Sequence, residues 1–89
     1  MNVFYDLIKL ARERKSKPIE SSYTNKLLGD KSFCKNKVLE EINELVDAVE
    51  KNTNKIHEAA DVIYHLLIYL EANDIFIEDI AEELIKRKK

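Results

Sequence analysis

The sequence predicts an all-α domain, and three observations carry that prediction. Apolar residues recur three and four positions apart along most of the chain, the period of a helix with one buried stripe. The composition is rich in Leu, Ile, Glu and Lys, and it holds one Gly and one Pro, too few turn formers for a strand-based fold. The polar breaks are few and short, at Lys17-Pro18, Gly29-Asp30, Asn52-Thr53-Asn54 and Asn73-Asp74.

The first helix is expected from Asn2 to about Lys15, with Val3, Phe4, Leu7, Ile8, Leu10 and Ala11 at helical spacing. Pro18 ends it by disfavouring helix in the residue before it. Ser21 to Leu28 reads as a loop followed by a short helical turn. Ser32 is a suitable N-cap for a second, longer helix to about Lys51. After the Asn52-Thr53-Asn54 break, Thr53 or Asn54 can cap a third helix that runs to about Ala72. A fourth helix covers roughly Ile77 to Lys88, with Ile80, Leu84 and Ile85 facing inward. The short connection makes the two long helices an antiparallel hairpin.

At 89 residues the chain is one domain, residues 1–89. A domain this small buries only part of its surface, so a partner surface is expected as well as a core. Hydrophobic residues make up 45% of the chain, which excludes disorder. The net charge of −2 is mixed along the chain, and no nucleic-acid partner is expected. The basic Lys86-Arg87-Lys88-Lys89 tail reads as a solvated helix end, where cations favour the dipole. The single Cys34 falls within an apolar pattern and reads as a buried thiol in a reducing compartment. There is no run of 18 apolar residues and no apolar leader-like segment, so a cytoplasmic protein with no membrane partner is expected.

The chemistry is concentrated in the hairpin. On a wheel of ~100° per residue, Val38, Ile42, Leu45 and Val49 define the apolar centre of the second helix, with Cys34 and Ala48 at one edge. Glu41 projects between Leu45 and Ala48, inside the apolar arc. Glu44 lies just beyond it, followed by Glu40 and Asp47. A carboxylate in such a place is costly unless it is paired or bound to a cation. One reading is an ion pair with Lys37 four residues before it. The third helix has an apolar arc spanning roughly half the wheel, from Val62, Leu66 and Tyr69 round to Ala60, with a narrow polar strip of Glu58, Asp61 and His65 beside it. Glu41 and Glu44, and likewise Glu58 and Asp61, are three apart and share a helix face. Two helices packed about 8–10 Å apart can bring these four acids to one point. Four such carboxylates repel unless a cation neutralises them, and an all-oxygen set selects Mg²⁺ or Mn²⁺ over Zn²⁺.

The motif Glu40-Glu41-x-x-Glu44 with Glu58-x-x-Asp61 resembles the metal motif of the all-α nucleotide pyrophosphohydrolases, the MazG-like superfamily. Three blocks resemble phosphoribosyl-ATP pyrophosphatase in particular: Ser22-Tyr23-Thr24-Asn25-Lys26-Leu27-Leu28, Lys37-Val38-Leu39-Glu40-Glu41, and Glu58-Ala59-Ala60-Asp61-Val62-Ile63-Tyr64-His65. Leu39 departs from the family, which usually has Gly there. The resemblance implies a four-helix MazG-like bundle completed by dimerisation, and hydrolysis of 1-(5-phosphoribosyl)-ATP, a small-molecule nucleotide, to phosphoribosyl-AMP and pyrophosphate in histidine biosynthesis. It implies Glu41, Glu44, Glu58 and Asp61 as Mg²⁺ ligands, Glu40 and Glu41 as catalytic acids, and Lys26 and Lys37 as phosphate contacts. His65 would hold a carboxylate from behind, and Tyr23 and Tyr64 would stack or pack. Two other readings stand beside this one. A house-cleaning nucleoside triphosphate pyrophosphatase would share the metal site, and a helical dimerisation module would have no use for the metal.

Overall fold

The computed structural model describes residues 2–88 and is helical throughout, with five helices among the described residues. They are α1 (Val3–Ser16), α2 (Tyr23–Gly29), α3 (Lys31–Lys51), α4 (Lys55–Ala72) and α5 (Ile77–Arg87). The all-α expectation holds, with one helix more than foreseen. The segment read as a turn after Ser21 is a full helix of seven residues. Ser22 caps it by accepting the Asn25 N–H, and Thr24 and Leu27 bury its inner face. A helix this short is marginal alone, so its tertiary contacts sustain it.

The cap of α3 also differs from expectation. Asp30, not Ser32, accepts the Phe33 N–H at 3.0 Å, so the helix begins two residues earlier than Ser32 would allow. The α3–α4 turn uses two left-handed asparagines, Asn52 (φ 54°) and Asn54 (φ 51°), a conformation Asn tolerates better than most residues. Asn54 is the N-cap residue of α4 but makes no side-chain cap bond. At the far end of α4, Asp74 is also left-handed, and the Ile75 N–H returns to the Leu70 carbonyl at 2.9 Å.

The α3–α4 hairpin is the centre of the molecule. α2 lies against both of its helices, and α1 lies across α2 and α4. Ala11, Leu27, Cys34 and Ile68, one from each of the first four helices, form the core, with Leu28, Phe33, Tyr64 and Tyr69 around it. Cys34 is fully buried, and burial pushes its thiol pKa up. A bidentate ion pair ties α1 to the end of α4, where the Arg12 guanidinium donates to both oxygens of Glu71 at 3.2 and 3.1 Å. Glu71 is only 1% exposed. The same guanidinium reaches Glu78 on α5 at 3.0 and 2.8 Å. Lys15 donates to the Glu71 carbonyl at 2.7 Å, where a cation suits the exposed carbonyls of a helix end.

Two sequence expectations about facing fail in this chain. In α5 only Ile77 and Ile80 are half-buried, whereas Leu84 and Ile85 are 60% and 70% exposed. Among the described residues, no other helix packs extensively on α5. In α3 the buried line is Cys34, Val38, Glu41 and Ala48, because α4 covers that side. Ile42 and Val49, placed at the apolar centre by the wheel, are exposed together with Leu39 and Val46. On α4 the matching exposed residues are Ile56, Ile63 and Leu66. Counting outward from the turn, Val49 is level with Ile56, Ile42 with Ile63 and Leu39 with Leu66. The basic tail continues past α5 as far as Lys88, and Lys89 of that tail lies outside the described residues.

Candidate active site

The covered face of the hairpin holds the acids. Glu41 sits on the buried line of α3 between Val38 and Ala48 and is 6% exposed. Glu44 follows three residues later on the more exposed edge, and Glu58 faces them from the first turn of α4. Glu41, Glu44 and Glu58 each present an oxygen so that all three atoms lie within 4.8 Å of one another. Glu58 and Asp61 form a second such group with His57. The four acids read from the sequence therefore occupy one patch as two groups sharing Glu58.

The electrostatics of the patch follow from crowding. Burial and the adjacent Glu44 carboxylate, with a smaller contribution from Asp61, push the Glu41 carboxyl up from 4.5 to about 7. Lys37, with its ammonium 3.6 Å from Glu41, opposes this but does not offset it. Among the described residues, two buried oxygens, Glu41 Oε2 and Glu58 Oε2, have no hydrogen-bond partner. Buried polar atoms are normally satisfied, so two orphaned carboxylate oxygens on residues of one all-oxygen cluster fit a hard divalent cation.

The remaining predicted residues divide. Lys37 stands at the acidic patch, 3.3 Å from Glu40 and 3.6 Å from Glu41, so the ion pair considered from sequence exists beside the cluster. Glu40 belongs to neither acid group, and its carboxylate points outward to Lys37. Lys26 lies elsewhere, with its ammonium 4.7 Å from the Phe33 ring centroid. His65 is buried, but it does not hold a carboxylate as expected. Its Nδ1–H donates to the backbone carbonyl of Asp61 at 2.7 Å, one turn earlier. A carbonyl can only accept, which leaves Nε2 to accept from the Tyr23 hydroxyl at 2.9 Å. Burial pushes the Tyr23 pKa up, which keeps the hydroxyl proton available for this bond. Tyr23 also stacks on Tyr64 with centroids 6.4 Å apart, and the Tyr64 hydroxyl bonds Thr24. The packing expected of both tyrosines is present.

Sequence reasoning missed two contributors. His57 places Nε2 3.4 Å from Asp61 Oδ2. Its position four residues before Asp61 was the available signal. The hydroxyl of Tyr23 was the other, and its partner lies 42 positions away, beyond the reach of any local pattern.

A model of the phosphoribosyl-ATP pyrophosphohydrolase family matches residues 4–88. Among curated relatives, a phosphoribosyl-ATP pyrophosphatase of Methanococcoides burtonii is 37% identical over 94 residues, covering 99% of this chain and 94% of that protein. One of Listeria innocua is 45% identical, covering 94% of this chain and 81% of the relative. A histidine biosynthesis bifunctional protein of Pyrococcus furiosus matches the whole chain at 37% identity over 43% of its own length. The similarity extends through both helices of the acidic hairpin and the α2 segment packed on it, and by that extent this chain belongs to the phosphoribosyl-ATP pyrophosphohydrolase family.

Proposed function

We propose that this protein hydrolyses 1-(5-phosphoribosyl)-ATP between its α and β phosphates, releasing phosphoribosyl-AMP and pyrophosphate, as a step of histidine biosynthesis. The observation that supports this most is the pair of orphaned buried oxygens of Glu41 and Glu58 within a cluster of carboxylates, on a chain of this family. Glu41, Glu44 and Glu58 would hold Mg²⁺, or Mn²⁺ in its place, with Asp61 at the edge shared through Glu58. The bound ion supplies charge neutralisation for the phosphate oxygens and a more acidic, oriented water.

The chain's own residues supply the rest. Lys37 offers a cation to the anhydride oxygens at the rim of the acidic patch. We assign Glu40 to steering that lysine rather than to activating water, because its carboxylate is already paired with it. Glu41, the most buried acid of the cluster, is the ligand most dependent on the ion for its charge. Tyr23 and His65 form a rigid backing that fixes the Asp61 turn of α4 through its carbonyl. The α3–α4 face that remains apolar would pair with a second copy to give a homodimer. A small-molecule substrate and the absence of a helix long and apolar enough to cross a membrane among the described residues support a cytoplasmic location.

The direct test is pyrophosphate release by the purified chain with Mg²⁺, using phosphoribosyl-ATP, ATP and dUTP. Phosphoribosyl-ATP should be turned over far faster than the other two. Equal turnover of ordinary triphosphates would move the assignment to a house-cleaning pyrophosphatase. A chain that binds no Mg²⁺ and hydrolyses nothing would leave only the helical dimerisation module.

A further inference from the structure

A cavity of about 760 Å³ opens at the corner between α1 and α2, away from the acids but sharing a wall with them. Arg14, Lys15, Ser22, Tyr23, Asn25 and Lys26 contribute to its lining. Its volume suits a small organic ligand. Tyr23 is the shared wall, lining the cavity while its hydroxyl bonds His65, which in turn hangs from the Asp61 carbonyl.

The cations of the cavity differ in their engagements. Lys15 is occupied, bonded to the Glu71 carbonyl and to Asp74. Among the described residues, neither Arg14 nor Lys26 has a carboxylate within ion-pairing distance, and the Lys26 ammonium, over the Phe33 ring, keeps its N–H donors for a ligand. Arg14 is half-buried, and one of its guanidinium nitrogens donates to the Ser22 hydroxyl, which leaves further donors of the fork unused. The loop holding these groups is fixed by Asn25, whose side chain accepts the Ile19 N–H at 2.8 Å and donates to the Arg14 carbonyl at 2.9 Å. Glu20 is the one acid of the lining, so the cavity is positive on balance. A concave, pre-formed and positive site with an arginine fork that keeps unused donors suits a phosphate monoester.

We propose that Arg14 and Lys26 in this cavity bind the 5-phosphate of the substrate's phosphoribosyl arm, and that this contact selects phosphoribosyl-ATP over ATP. The inference rests on the function proposed above. That substrate is phosphorylated at both ends. Its triphosphate belongs with the acids and their cation, which leaves the second phosphate to be met elsewhere. ATP has no such second phosphate, so a site for it separates the two nucleotides without altering the hydrolytic centre.

The experiment compares kcat/KM for phosphoribosyl-ATP and ATP in the full chain with Mg²⁺, for the wild type, Arg14→Gln and Lys26→Gln. Each variant should lower the phosphoribosyl-ATP to ATP ratio by about tenfold or more, chiefly through KM, as loss of a charge-assisted bond implies. Ribose 5-phosphate should compete with phosphoribosyl-ATP in the wild type and at least about tenfold more weakly in the variants. Arg14→Gln also disturbs the Ser22 cap, so melting curves accompany the kinetics, and Lys26→Gln decides if Arg14→Gln fails to fold. A wild type that prefers phosphoribosyl-ATP, with folded variants that keep the ratio and no competition by ribose 5-phosphate, overturns this inference alone. A wild type with no preference overturns the function from which it starts.

Discussion

Glu41 carries more conflict than any other side chain of this protein, because it is buried, crowded by Glu44 and left with an oxygen that nothing satisfies. Glu41→Gln should lower turnover by about a hundredfold or more, since a cation ligand is lost. The fold should persist, and without Mg²⁺ the variant should melt no lower than the wild type, because a repelling charge has gone. Kinetics and melting curves with and without Mg²⁺ check both. The pH dependence follows with its sign. The folded carboxyl titrates near 7 and the unfolded one near 4.5, so between those values the folded state holds a proton that the unfolded state has released. Stability of the metal-free protein should therefore fall as pH rises through that window and level off above it. Mg²⁺ should raise stability most above pH 7, where the ligands are already ionised, and Glu41→Gln should flatten the metal-free slope. A metal-free wild type that grows more stable from pH 5 to 7 would contradict this account. The oddity of Glu41 was legible in the sequence because an acid projected into an apolar arc at a fixed angle per residue. Glu71 gave no such sign. It lies among Tyr69, Leu70 and Ala72 near a helix end, and the arginine that makes its burial tolerable is 59 positions away.

Between elements, the Arg12 fork is the main polar tie, joining α1, α4 and α5 through Glu71 and Glu78. Arg12→Met keeps the length of the side chain but strands a buried carboxylate. It should cost on the order of 3 kcal/mol in urea unfolding, whereas Arg12→Met combined with Glu71→Leu should recover much of that loss. Additive losses in the double variant would show that the pair does not act as a unit. Glu78 responds differently, because it is exposed and held well below the usual carboxylate range by the same guanidinium. Its contribution is present at neutral pH and is lost only as pH falls below the ordinary carboxylate range. The two long helices of the hairpin were legible from period and from the polar break between them. The shortness of α2 hid it, since seven residues hold too few apolar positions to establish a period. The cap of α3 was misplaced because Asp30 and Ser32 are both good caps two residues apart, and only the path out of Gly29 chooses between them.

For the whole molecule, the bare apolar line on the hairpin is the largest departure from what one folded chain needs. Leu39, Ile42, Val46 and Val49 are spaced as one face of α3, level with the exposed Ile56, Ile63 and Leu66 of α4. Sedimentation should give a dimer at micromolar concentration. Ile42→Glu should dissociate it and lower its melting temperature, although the same change at an exposed site of a monomer would cost about 0.5 kcal/mol or less. A monomeric wild type would remove the dimer from the proposal. The wheel contained this outcome in its excess width, but one sequence cannot say which part of a wide arc its own chain covers. The sealed position of Cys34 also makes the protein its own stopwatch. With a single thiol, and that one fully buried, an alkylating or disulfide reagent can react only after the first four helices part. The labelling rate then measures how often the core opens, and anything that binds the closed form, a cation at the acids or a phosphate at the α1–α2 corner, should slow it in proportion to its hold.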